Sequence, residues 1–500
     1  MNQPDVVVIG SGFGGSITAA RLAQRGMRVL ILERGPWWGP AGIERSESEH
    51  RREFPRTLNG LRKSLRNIRW ARGGRSRELL LNPDGLYEYH GFRHLDVVTG
   101  SGVGGGSLIY TSIMEQPEDD FFDAFPAEIT PAEMQPYFGR VREMLRPRPM
   151  PDRPEKNAVF EQMVRSSGVG EVKYPDVAIQ WRQSPDDAAS THNAAGVKQA
   201  GCTHCGMCVA GCNERAKTTM DLTYLPAALA AGAVIRPMSE VMAIGEVGQG
   251  YFVRYLDRIT GQELTVNAHR VVLAAGSLNT LRLLFTCRDR LGTLPRLPES
   301  LGSHFSPNTD MGGLVYRTPK VTNSAYGAAF NSFVPVRKNG RYRFLVGEVG
   351  MPTAEFKVPG FLKKRVEQSL LLLGMGRDAS TGTVRFDGKG LVTDMGRSVD
   401  PEIFAEMETV MGEIARQYEP ARSAVNIPSG RGSERIFTVH PLGGASIAST
   451  PAEGATDHRG QIFGHPGLHV ADGSLYPKAP GIPPSFTIAA LAERIAALMD

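Results

Sequence analysis

Apolar and polar positions along the first 35 residues follow a strand, helix, strand order. Val6–Ile9 is an apolar run of strand length, and Val29–Leu32 is a second one. Between the two runs, apolar residues recur at the spacing of one helix face: Ile17, Ala20, Leu22 and Ala23. Gly26 ends that periodicity. The pattern predicts a βαβ unit, with strands over 6–9 and 29–32 and a helix that stops at Gly26.

Three later segments carry further strand and helix patterns. Residues 269–285, "HRVVLAAGSLNTLRLLF", read as a strand, a turn of small residues and a helix. Residues 435–439, "RIFTV", are of β type. From about Ser485, apolar residues at helical spacing predict a C-terminal helix: Ile488, Leu491, Ile495 and Leu498. The chain is therefore expected to have an α/β fold.

The first turn carries chemistry as well as structure. Gly10, Gly12 and Gly15 form G-x-G-x-x-G between the predicted strand and helix, and Glu33 ends the next strand. Glycines let the backbone approach a pyrophosphate, and the helix N-terminus offers it free N–H groups and a positive dipole end. A carboxylate at the position of Glu33 can accept hydrogen bonds from a ribose diol. These features predict a dinucleotide site, and the fingerprint alone leaves FAD and NAD open.

Composition narrows the class of protein. The 500 residues suggest two or three structural units, and 41% apolar with 22% charged residues is typical of a soluble enzyme. A net charge of +5 gives no argument for nucleic acid, and we expect none as a partner. No apolar run reaches the roughly 18 residues of a membrane span, and the N-terminus lacks the features of a signal peptide. We therefore expect a cytoplasmic location, where disulfides are rare.

Glycine-rich segments at the start, middle and end of the chain resemble one enzyme family. These are the first turn, "VVTGSGVGGGSLIYTSIM" at 97–114, the segment at 269–285, "FTVHPLGGAS" around His440, and residues 467–499. Together they cover about half of the chain. They look like the glucose–methanol–choline (GMC) family of FAD oxidoreductases, and most like its cholesterol oxidase-like bacterial branch. The resemblance implies FAD rather than NAD as the cofactor.

The resemblance also implies an architecture. It favours an α/β fold in which an FAD-binding Rossmann-like domain joins a second, α+β substrate-binding domain with a mixed or antiparallel sheet. The FAD domain is expected to be discontinuous, over 1–40, 90–130, 195–308 and 432–500. The substrate domain is expected over 309–431, a basic lid-like insertion over 41–89, and a connecting segment on the substrate side over 131–194.

By motif, the resemblance assigns FAD contacts to four groups of residues. The ADP half is expected at Gly10, Gly12, Phe13, Gly14, Gly15, Glu33 and Arg34. Val241 is expected at the adenine, and Ala275 and Gly276 at the pyrophosphate. The flavin side is expected at Gly104, Gly105, Gly106 and Ser107, together with ribityl and phosphate contacts at Asp472 and Gly473 and further FAD contacts at Pro484, Ser485 and Phe486. His94 precedes the second glycine cluster by several residues, so the resemblance favours non-covalent FAD over the covalent form that some members have.

The family removes a hydride from an alcohol carbon while a base takes the hydroxyl proton. His440 in "HPLGG" matches the family's active-site histidine, and histidine suits a base because its pKa lies near neutral pH. The position where the family usually has a second polar residue is Pro483, which offers no donor. Glu348 is a second candidate base, and the alternative interpretation is a carboxylate on the solvent face of a strand.

Four cysteines lie within eleven residues, in the spacing C-x2-C-x2-C-x3-C. Cys202, Cys205, Cys208 and Cys212 match the cysteine spacing of a bacterial ferredoxin, in which the fourth cysteine usually binds a different cluster. Two interpretations stay open, an iron–sulfur cluster and bare thiols. A cluster would make the protein a dehydrogenase, whereas without one oxygen or a quinone must meet the flavin directly.

A basic stretch has two interpretations, one of which is contact with a membrane surface. Residues 45–77 hold eleven Arg or Lys, and Leu58, Leu61, Leu65 and Ile68 recur at helical spacing. The pattern fits an amphipathic helix on an anionic membrane, or a lid helix packed on the substrate domain. We expect an FAD enzyme that oxidises a lipophilic, steroid-like alcohol and passes electrons to oxygen, a quinone or an electron-transfer protein. The alternatives are an FAD dehydrogenase of small or sugar-like alcohols with an iron–sulfur centre, and a non-catalytic flavin subunit.

Overall fold

The computed structural model describes residues 3–39, 51–72, 75–182, 191–319, 321–352, 360–418 and 420–499. Parts of the basic stretch, residues 45–50 and 73–74, lie outside these ranges. The helices of the described residues are Phe13–Gln24, Leu58–Ser64, Pro131–Leu145, Glu155–Ser167, Tyr224–Ala230, Ser277–Phe285, Gly360–Glu367, Pro401–Arg416 and Ser485–Leu498.

The predicted βαβ unit lies at the centre of a five-stranded parallel sheet, called here the nucleotide sheet. Its strands, in spatial order, are Val234–Arg236, Val29–Leu32, Val6–Ile9, Arg270–Leu273 and Leu468–Val470. Val6–Ile9 and Val29–Leu32 are buried along their whole length, and Arg270–Leu273 is buried except at Arg270, which explains the continuous apolar runs. The helices predicted to stop at Gly26 and to begin at Ser485 are confirmed as Phe13–Gln24 and Ser485–Leu498.

Two antiparallel sheets accompany the nucleotide sheet. A three-stranded one is formed by Ser239–Val247, Gly250–Asp257 and Glu263–Ala268. A five-stranded one, called here the roof sheet, has the order Phe330–Lys338, Arg341–Val349, Ser369–Gly376, Met311–Tyr316 and Arg422–Ile427. The expected combination of a Rossmann-like part with a second part built on an antiparallel sheet is confirmed. The roof sheet falls within the predicted substrate domain, whose boundaries stay a prediction.

A mixed five-stranded sheet, called here the side sheet, connects distant parts of the chain. Its order is Ile436–Thr438, Leu95–Gly100, Tyr87–Gly91, Leu65–Arg72 and Arg75–Leu80. The interpretation of residues 58–68 as one amphipathic helix is wrong, because the helix ends at Ser64 and Leu65 begins a strand. The strand Leu65–Arg72 pairs with a neighbour on both sides, and this tertiary pairing overrides the helical spacing of the apolar residues. Two-stranded pairs complete the strands: Trp37–Trp38 with Arg51–Arg52, Thr191–His192 with Lys198–Gln199, and Val384–Phe386 with Leu391–Thr393.

A buried histidine in the nucleotide sheet predicts loss of stability in acid. Burial lowers the pKa of His469 to about 4, from an ordinary value of 6.5. Between these values the unfolded chain binds a proton that the folded chain does not, so stability falls as pH drops. We expect this histidine to contribute on the order of 1–3 kcal/mol to the loss between pH 7 and pH 4.

The measurement is denaturant unfolding at pH 7 and pH 5 for the wild type and His469→Leu. The variant is expected to lose less stability than the wild type between the two pH values. His192→Gln, at an exposed histidine, serves as the control and should keep the wild-type difference. An equal acid-induced loss in wild type and His469→Leu would show that His469 does not titrate as proposed.

Candidate active site

A single cavity of about 450 Å³ extends from the carboxyl ends of the nucleotide strands to His440. Glu33, Arg34 and Val241 line one part of it, and Leu373 and Met375 of the roof sheet line another. Ligands of open parallel sheets bind at the carboxyl ends of the strands, where this cavity lies. The arrangement therefore places a nucleotide-sized groove and a histidine in one continuous space.

Most of the residues predicted for FAD line this cavity. Those that do are Gly10, Gly12, Phe13, Gly14, Glu33, Arg34, Gly105, Gly106, Val241, Ala275, Gly276, Asp472, Gly473, Pro484 and Ser485. Gly15, Gly104, Ser107 and Phe486 are not among the lining residues. Ser107 instead donates its hydroxyl to Gly104 O at 2.7 Å, and the Phe486 ring meets Phe138 edge-on at 4.9 Å. These two side chains hold the walls of the cavity rather than face into it.

The glycines of the first turn serve two different purposes. A Cβ on Gly14 would lie 1.6 Å from Ala471 O, and one on Gly15 would lie 2.0 Å from Gly10 O, so both are required by packing. Gly12 has ordinary extended backbone, with φ −70°, and a Cβ there would find its nearest atom, Gly105 Cα, 3.8 Å away. Because Gly12 lines the cavity, its missing side chain leaves room for a ligand rather than for the protein.

Asp472 ties the cavity wall together. Its carboxylate accepts hydrogen bonds from Gly276 N (2.9 Å), Thr280 Oγ1 (2.5 Å), Ser474 N (2.9 Å) and Ser474 Oγ (2.6 Å). The side chain is buried, and burial raises the pKa of this carboxyl above its ordinary value. With four protein donors, the carboxylate joins the start of helix Ser277–Phe285 to the turn after the last nucleotide strand. Because the Asp472 side chain is already satisfied by protein donors, the group of this turn that can contact a cofactor is its backbone.

Polar groups in the cavity wall fit the dinucleotide expected from the sequence. Ser101 Oγ and Ser277 Oγ are buried and line the cavity, and neither has a hydrogen-bond partner among the described residues. Buried hydroxyls without a partner are rare, because each costs free energy unless a ligand or water satisfies it. Glu33 accepts from Ser11 N at 3.0 Å and from Gly35 N at 2.9 Å, which fixes its carboxylate at the end of its strand. The glycine turns, these hydroxyls and Glu33 together fit FAD.

His440 lies at the other part of the cavity, two residues after the strand Ile436–Thr438. Its Nδ1 faces the carboxylate of Asp310, at 3.0 Å from Oδ1 and 2.9 Å from Oδ2. The backbone N of His440 donates to Thr438 Oγ1 at 2.8 Å, so the main chain is fixed as well. In the described part of the chain, Nε2 has no recorded hydrogen-bond partner, and the side chain is 18% exposed at the cavity wall. This nitrogen is free to meet a substrate.

Asp310 is the functional residue that sequence reasoning missed. It is buried and stands 130 positions from His440, so no local motif links the two. The structure brings them together through a turn in which both Asn308 (φ 55°) and Thr309 (φ 44°) have left-handed backbone. Such backbone is uncommon outside glycine and clusters at functional sites. An "NTD" run directly before a β-type segment was the available signal.

The cavity that contains His440 has a proline where the family usually has a second polar residue. Pro483 lines the cavity, as predicted, together with Leu373, Met375 and Val439. The Val439 side chain is 43% exposed, which leaves an apolar surface open at this wall. A hydroxyl here has one candidate base and otherwise apolar neighbours among these residues.

Glu348 does not reach the cavity. It pairs with Leu372 in the roof sheet, whereas Gly347 pairs with the cavity residue Leu373. Because side chains alternate along a strand, Glu348 points to the opposite face of the sheet. There its carboxylate accepts from Asn157 Nδ2 at 2.6 Å and lies 3.1 Å from Lys156 Nζ.

The interpretation of Glu348 as a solvent-facing carboxylate is wrong as well. Both Glu348 and Lys156 are fully buried, and burial raises the pKa of the Glu348 carboxyl. The paired charges connect the roof sheet to helix Glu155–Ser167. A raised pKa therefore marks a buried polar contact here rather than a base beside the cavity.

The iron–sulfur hypothesis is not supported by the cysteine geometry. Within the ranges that the structure describes, no group of three or more His, Cys, Asp or Glu side chains is placed to hold a metal ion. Burial raises the pKa of the Cys202 and Cys212 thiols. These thiols pack in an apolar cluster with Phe330 and Ile482.

Lys217 fixes the cysteine loop to the cavity wall. Its buried Nζ donates to Cys208 O at 2.6 Å, Leu108 O at 2.7 Å and Tyr110 O at 3.2 Å. Burial lowers the pKa of this amine to about 8. Since Tyr110 lines the cavity, the loop supports the second glycine-rich turn. The cysteine-rich segment thus has a structural role in positioning that turn.

Two features of the described residues bear on whether the protein contacts a membrane. No helix of the described residues is long and apolar enough to cross a membrane. Phe361 is 64% exposed on helix Gly360–Glu367, which also carries Lys363, Lys364 and Arg365. An apolar ring beside basic side chains suits peripheral contact with anionic lipid, and that contact stays a prediction.

Comparison with known families agrees with this geometry. Residues 85–287 and 379–492 match the N- and C-terminal models of the GMC oxidoreductases. Residues 8–61 match the NAD(P)-binding Rossmann-like domain. The two GMC matches together span more than half of the chain.

Individual relatives are alcohol oxidases by name. A cholesterol oxidase of Mycobacterium tuberculosis is 29% identical, over 99% of this chain and 90% of that protein. A cholesterol oxidase of Acinetobacter baumannii is 25% identical over 98% and 93%. A long-chain-alcohol oxidase of Arabidopsis thaliana is 22% identical over 99% and 67%. Among solved structures, pyridoxine 4-oxidase from Mesorbium loti has the same fold, with a TM-score of 0.66, 19% identity and coverage of 99% and 98%.

Proposed function

The chain belongs to the GMC oxidoreductase family, and we propose that it oxidises a hydroxyl group of a lipophilic alcohol to a carbonyl, with His440 as the base. The FAD-dependent oxidation of CH–OH donors follows from the family and its alcohol-oxidase relatives. The lipophilic, steroid-like substrate and the role of His440 are the finer parts of the proposal. One cavity that holds both the glycine-lined nucleotide groove and His440 is the observation that carries them.

The chemistry divides between the cofactor and the chain. When bound, FAD supplies the two-electron acceptor that takes the hydride from the alcohol carbon. His440 accepts the hydroxyl proton at Nε2, since Nδ1 is engaged with Asp310. The turns around Gly12 and Gly105 hold the dinucleotide, and the apolar side chains of Leu373 and Met375 limit the access of water to the alcohol carbon.

Apolar walls support a lipophilic substrate. A site built to bind a sugar needs several polar groups for its hydroxyls, because unpaired polar groups on either partner cost affinity. The cavity that His440 lines includes four apolar side chains, Leu373, Met375, Val439 and Pro483. The names of the relatives, cholesterol oxidase and long-chain-alcohol oxidase, point to the same class of substrate and to oxygen as the electron acceptor.

Anaerobic bleaching of the flavin absorbance tests this proposal. The FAD-loaded protein would be mixed without oxygen with a sterol, a long-chain primary alcohol, pyridoxine and a sugar alcohol. We expect the sterol or the long-chain alcohol to bleach the flavin and the sugar alcohol to leave it oxidised. If the sugar alcohol alone bleached the flavin, the proposal of a lipophilic substrate would be wrong. If no alcohol of the panel bleached it, a non-catalytic flavin protein would be favoured. Readmission of oxygen should restore the colour with release of hydrogen peroxide.

FAD is expected to be held without a covalent bond. His94 is not among the residues that line the cavity, and its Cβ lies beside Gly396 instead. Acid precipitation should therefore release all of the yellow colour into the supernatant. The matched control is an acid-precipitated sample of a protein with covalent flavin, which keeps its colour in the pellet. A yellow pellet from this chain would contradict the prediction.

A further inference from the structure

The contact between Asp310 and His440 is arranged for more than folding. Asp310 Oδ2 accepts from Val439 N at 2.9 Å and from Thr438 Oγ1 at 2.8 Å, which holds the main chain before His440. Oδ1 has His440 Nδ1, at 3.0 Å, as its recorded partner among the described residues. Oδ2 also lies 2.9 Å from Nδ1, so both carboxylate oxygens face the imidazole and Oδ2 holds the preceding residues as well.

The surroundings leave Asp310 little freedom to move. Its side chain is 1% exposed, and it follows the two left-handed residues Asn308 and Thr309. Asn308 Oδ1 accepts from Gly481 N at 2.9 Å, and its Nδ2 donates to Ile482 O at 3.1 Å. The same turn is thus joined to the loop that places Pro483 in the cavity wall.

From this geometry we propose that Asp310 is the positioning residue that keeps the imidazole proton on Nδ1 of His440 and leaves the Nε2 lone pair facing the substrate. A carboxylate offers acceptors alone, so the nitrogen that faces it must carry the proton. This role rests on the proposed function of His440 as the base.

The proton balance of the step follows. As the hydride leaves the alcohol carbon for the flavin, the alcohol O–H bond breaks, an N–H bond forms at Nε2, and a C=O bond results. His440 then carries a proton on both nitrogens, and the ion pair with Asp310 stabilises that charge in a buried contact. Pro483 offers no donor or acceptor side chain. Asp310, which contacts Nδ1, is therefore the polar group that orients the His440 imidazole.

Asp310→Asn tests the proposal with a nearly isosteric change. The amide can still accept from Val439 N with its oxygen, and its NH₂ then faces Nδ1 and favours the proton on Nε2. In serine proteases, the same change beside the general-base histidine lowers kcat about 10⁴-fold. We expect at least a ~100-fold slower flavin reduction, with bound FAD and substrate affinity unchanged within about threefold.

The second readout is the tautomer itself and needs no substrate. Protein labelled with ¹⁵N-histidine, with the His440 signals assigned by their loss in His440→Gln, should show the proton on Nδ1 in the wild type and on Nε2 in Asp310→Asn. A wild-type spectrum with the proton on Nε2 overturns the proposal even if the variant fails to fold. Failure of every alcohol to bleach the flavin would remove the proposed function and leave this spectrum to be judged separately.

Glu408→Gln is the matched control. Glu408 is a buried carboxylate of helix Pro401–Arg416 that pairs with Arg397 at 2.7 Å and has no recorded contact with His440. It should lose stability but keep the wild-type tautomer and flavin reduction rate. If Asp310→Asn kept the same flavin reduction rate and the same His440 tautomer as Glu408→Gln, the role of Asp310 would be structural alone.

Discussion

Replacing His440 by alanine is expected to lower the rate of flavin reduction 10²–10⁴-fold, or about 3–5 kcal/mol of barrier, because general-base catalysis typically contributes this much. His440 is the imidazole of the cavity wall, and Pro483 cannot share the alcohol's proton. Its side chain is 18% exposed, and its removal leaves the buried Asp310 carboxylate without its imidazole partner. Bound FAD should stay near the wild-type level, whereas the thermal midpoint should fall, because a buried carboxylate that loses its partner lowers stability. Anaerobic stopped-flow absorbance with the best alcohol of the panel measures the rate.

Glu348→Gln is the comparison for His440→Ala. Glu348 lies on the far face of the roof sheet beside Lys156, so its loss should lower stability more than rate. A His440→Ala protein that reduces its flavin at near the wild-type rate would remove His440 from the mechanism. If Glu348→Gln then proved the slower variant, Glu348 would be the base despite its place in the fold.

Gly12→Val is expected to weaken FAD binding roughly 10- to 100-fold while the protein still folds. A Cβ at Gly12 meets no protein atom closer than 3.8 Å, so the added side chain extends into the cavity. Overpacking of this kind costs about 1–3 kcal/mol, which is roughly a 10- to 100-fold weaker Kd. Titration of FAD into the apoprotein, followed by quenching of flavin fluorescence, measures the change.

Two other glycines make this prediction specific. Gly139→Val adds the same side chain on helix Pro131–Leu145, where no atom lies within 4 Å, and it should bind FAD normally. Gly14→Val would place a Cβ 1.6 Å from Ala471 O and should lose the fold together with the cofactor. Wild-type FAD affinity in Gly12→Val would mean that the pyrophosphate does not pass the first glycine turn.

Local patterns in the sequence were enough to predict the βαβ unit at the centre of the nucleotide sheet. The runs at 6–9 and 29–32 and the helix from Ser485 appear as predicted, because buried parallel strands and a helix with one apolar face leave clear periodicities. The prediction of a helix through Leu65 was wrong. Apolar residues at helical spacing favoured a helix, but pairing with Tyr87–Gly91 and Arg75–Leu80 makes Leu65–Arg72 a strand.

The candidate site was predictable where a motif carried it and not where the fold built it. His440 and the glycines could be found from their local sequence. Asp310 could not, because the dyad depends on a turn 130 residues away and on left-handed backbone at Asn308 and Thr309. For Glu348, the face of the strand depends on register, and one residue of shift exchanges the two faces.

The cysteine segment shows the same limit. Spacing predicts which thiols can come together, but not whether the loop closes around a cluster. Here the three carbonyls that accept from Lys217 fix the loop against the second glycine turn. Packing of Cys202 with Phe330 and Ile482 then gives the thiols an apolar environment.

The most direct test of the central claim is a single-turnover count of carbonyl product against reduced flavin. The FAD-loaded protein would be mixed without oxygen with excess sterol or long-chain alcohol, and the carbonyl would be quantified after the flavin absorbance has bleached. We predict one carbonyl per flavin reduced in the wild type, and a bleaching rate at least ~100-fold lower in His440→Ala. Bleaching without carbonyl product, or equal rates in the two proteins, would contradict oxidation of an alcohol with His440 as its base.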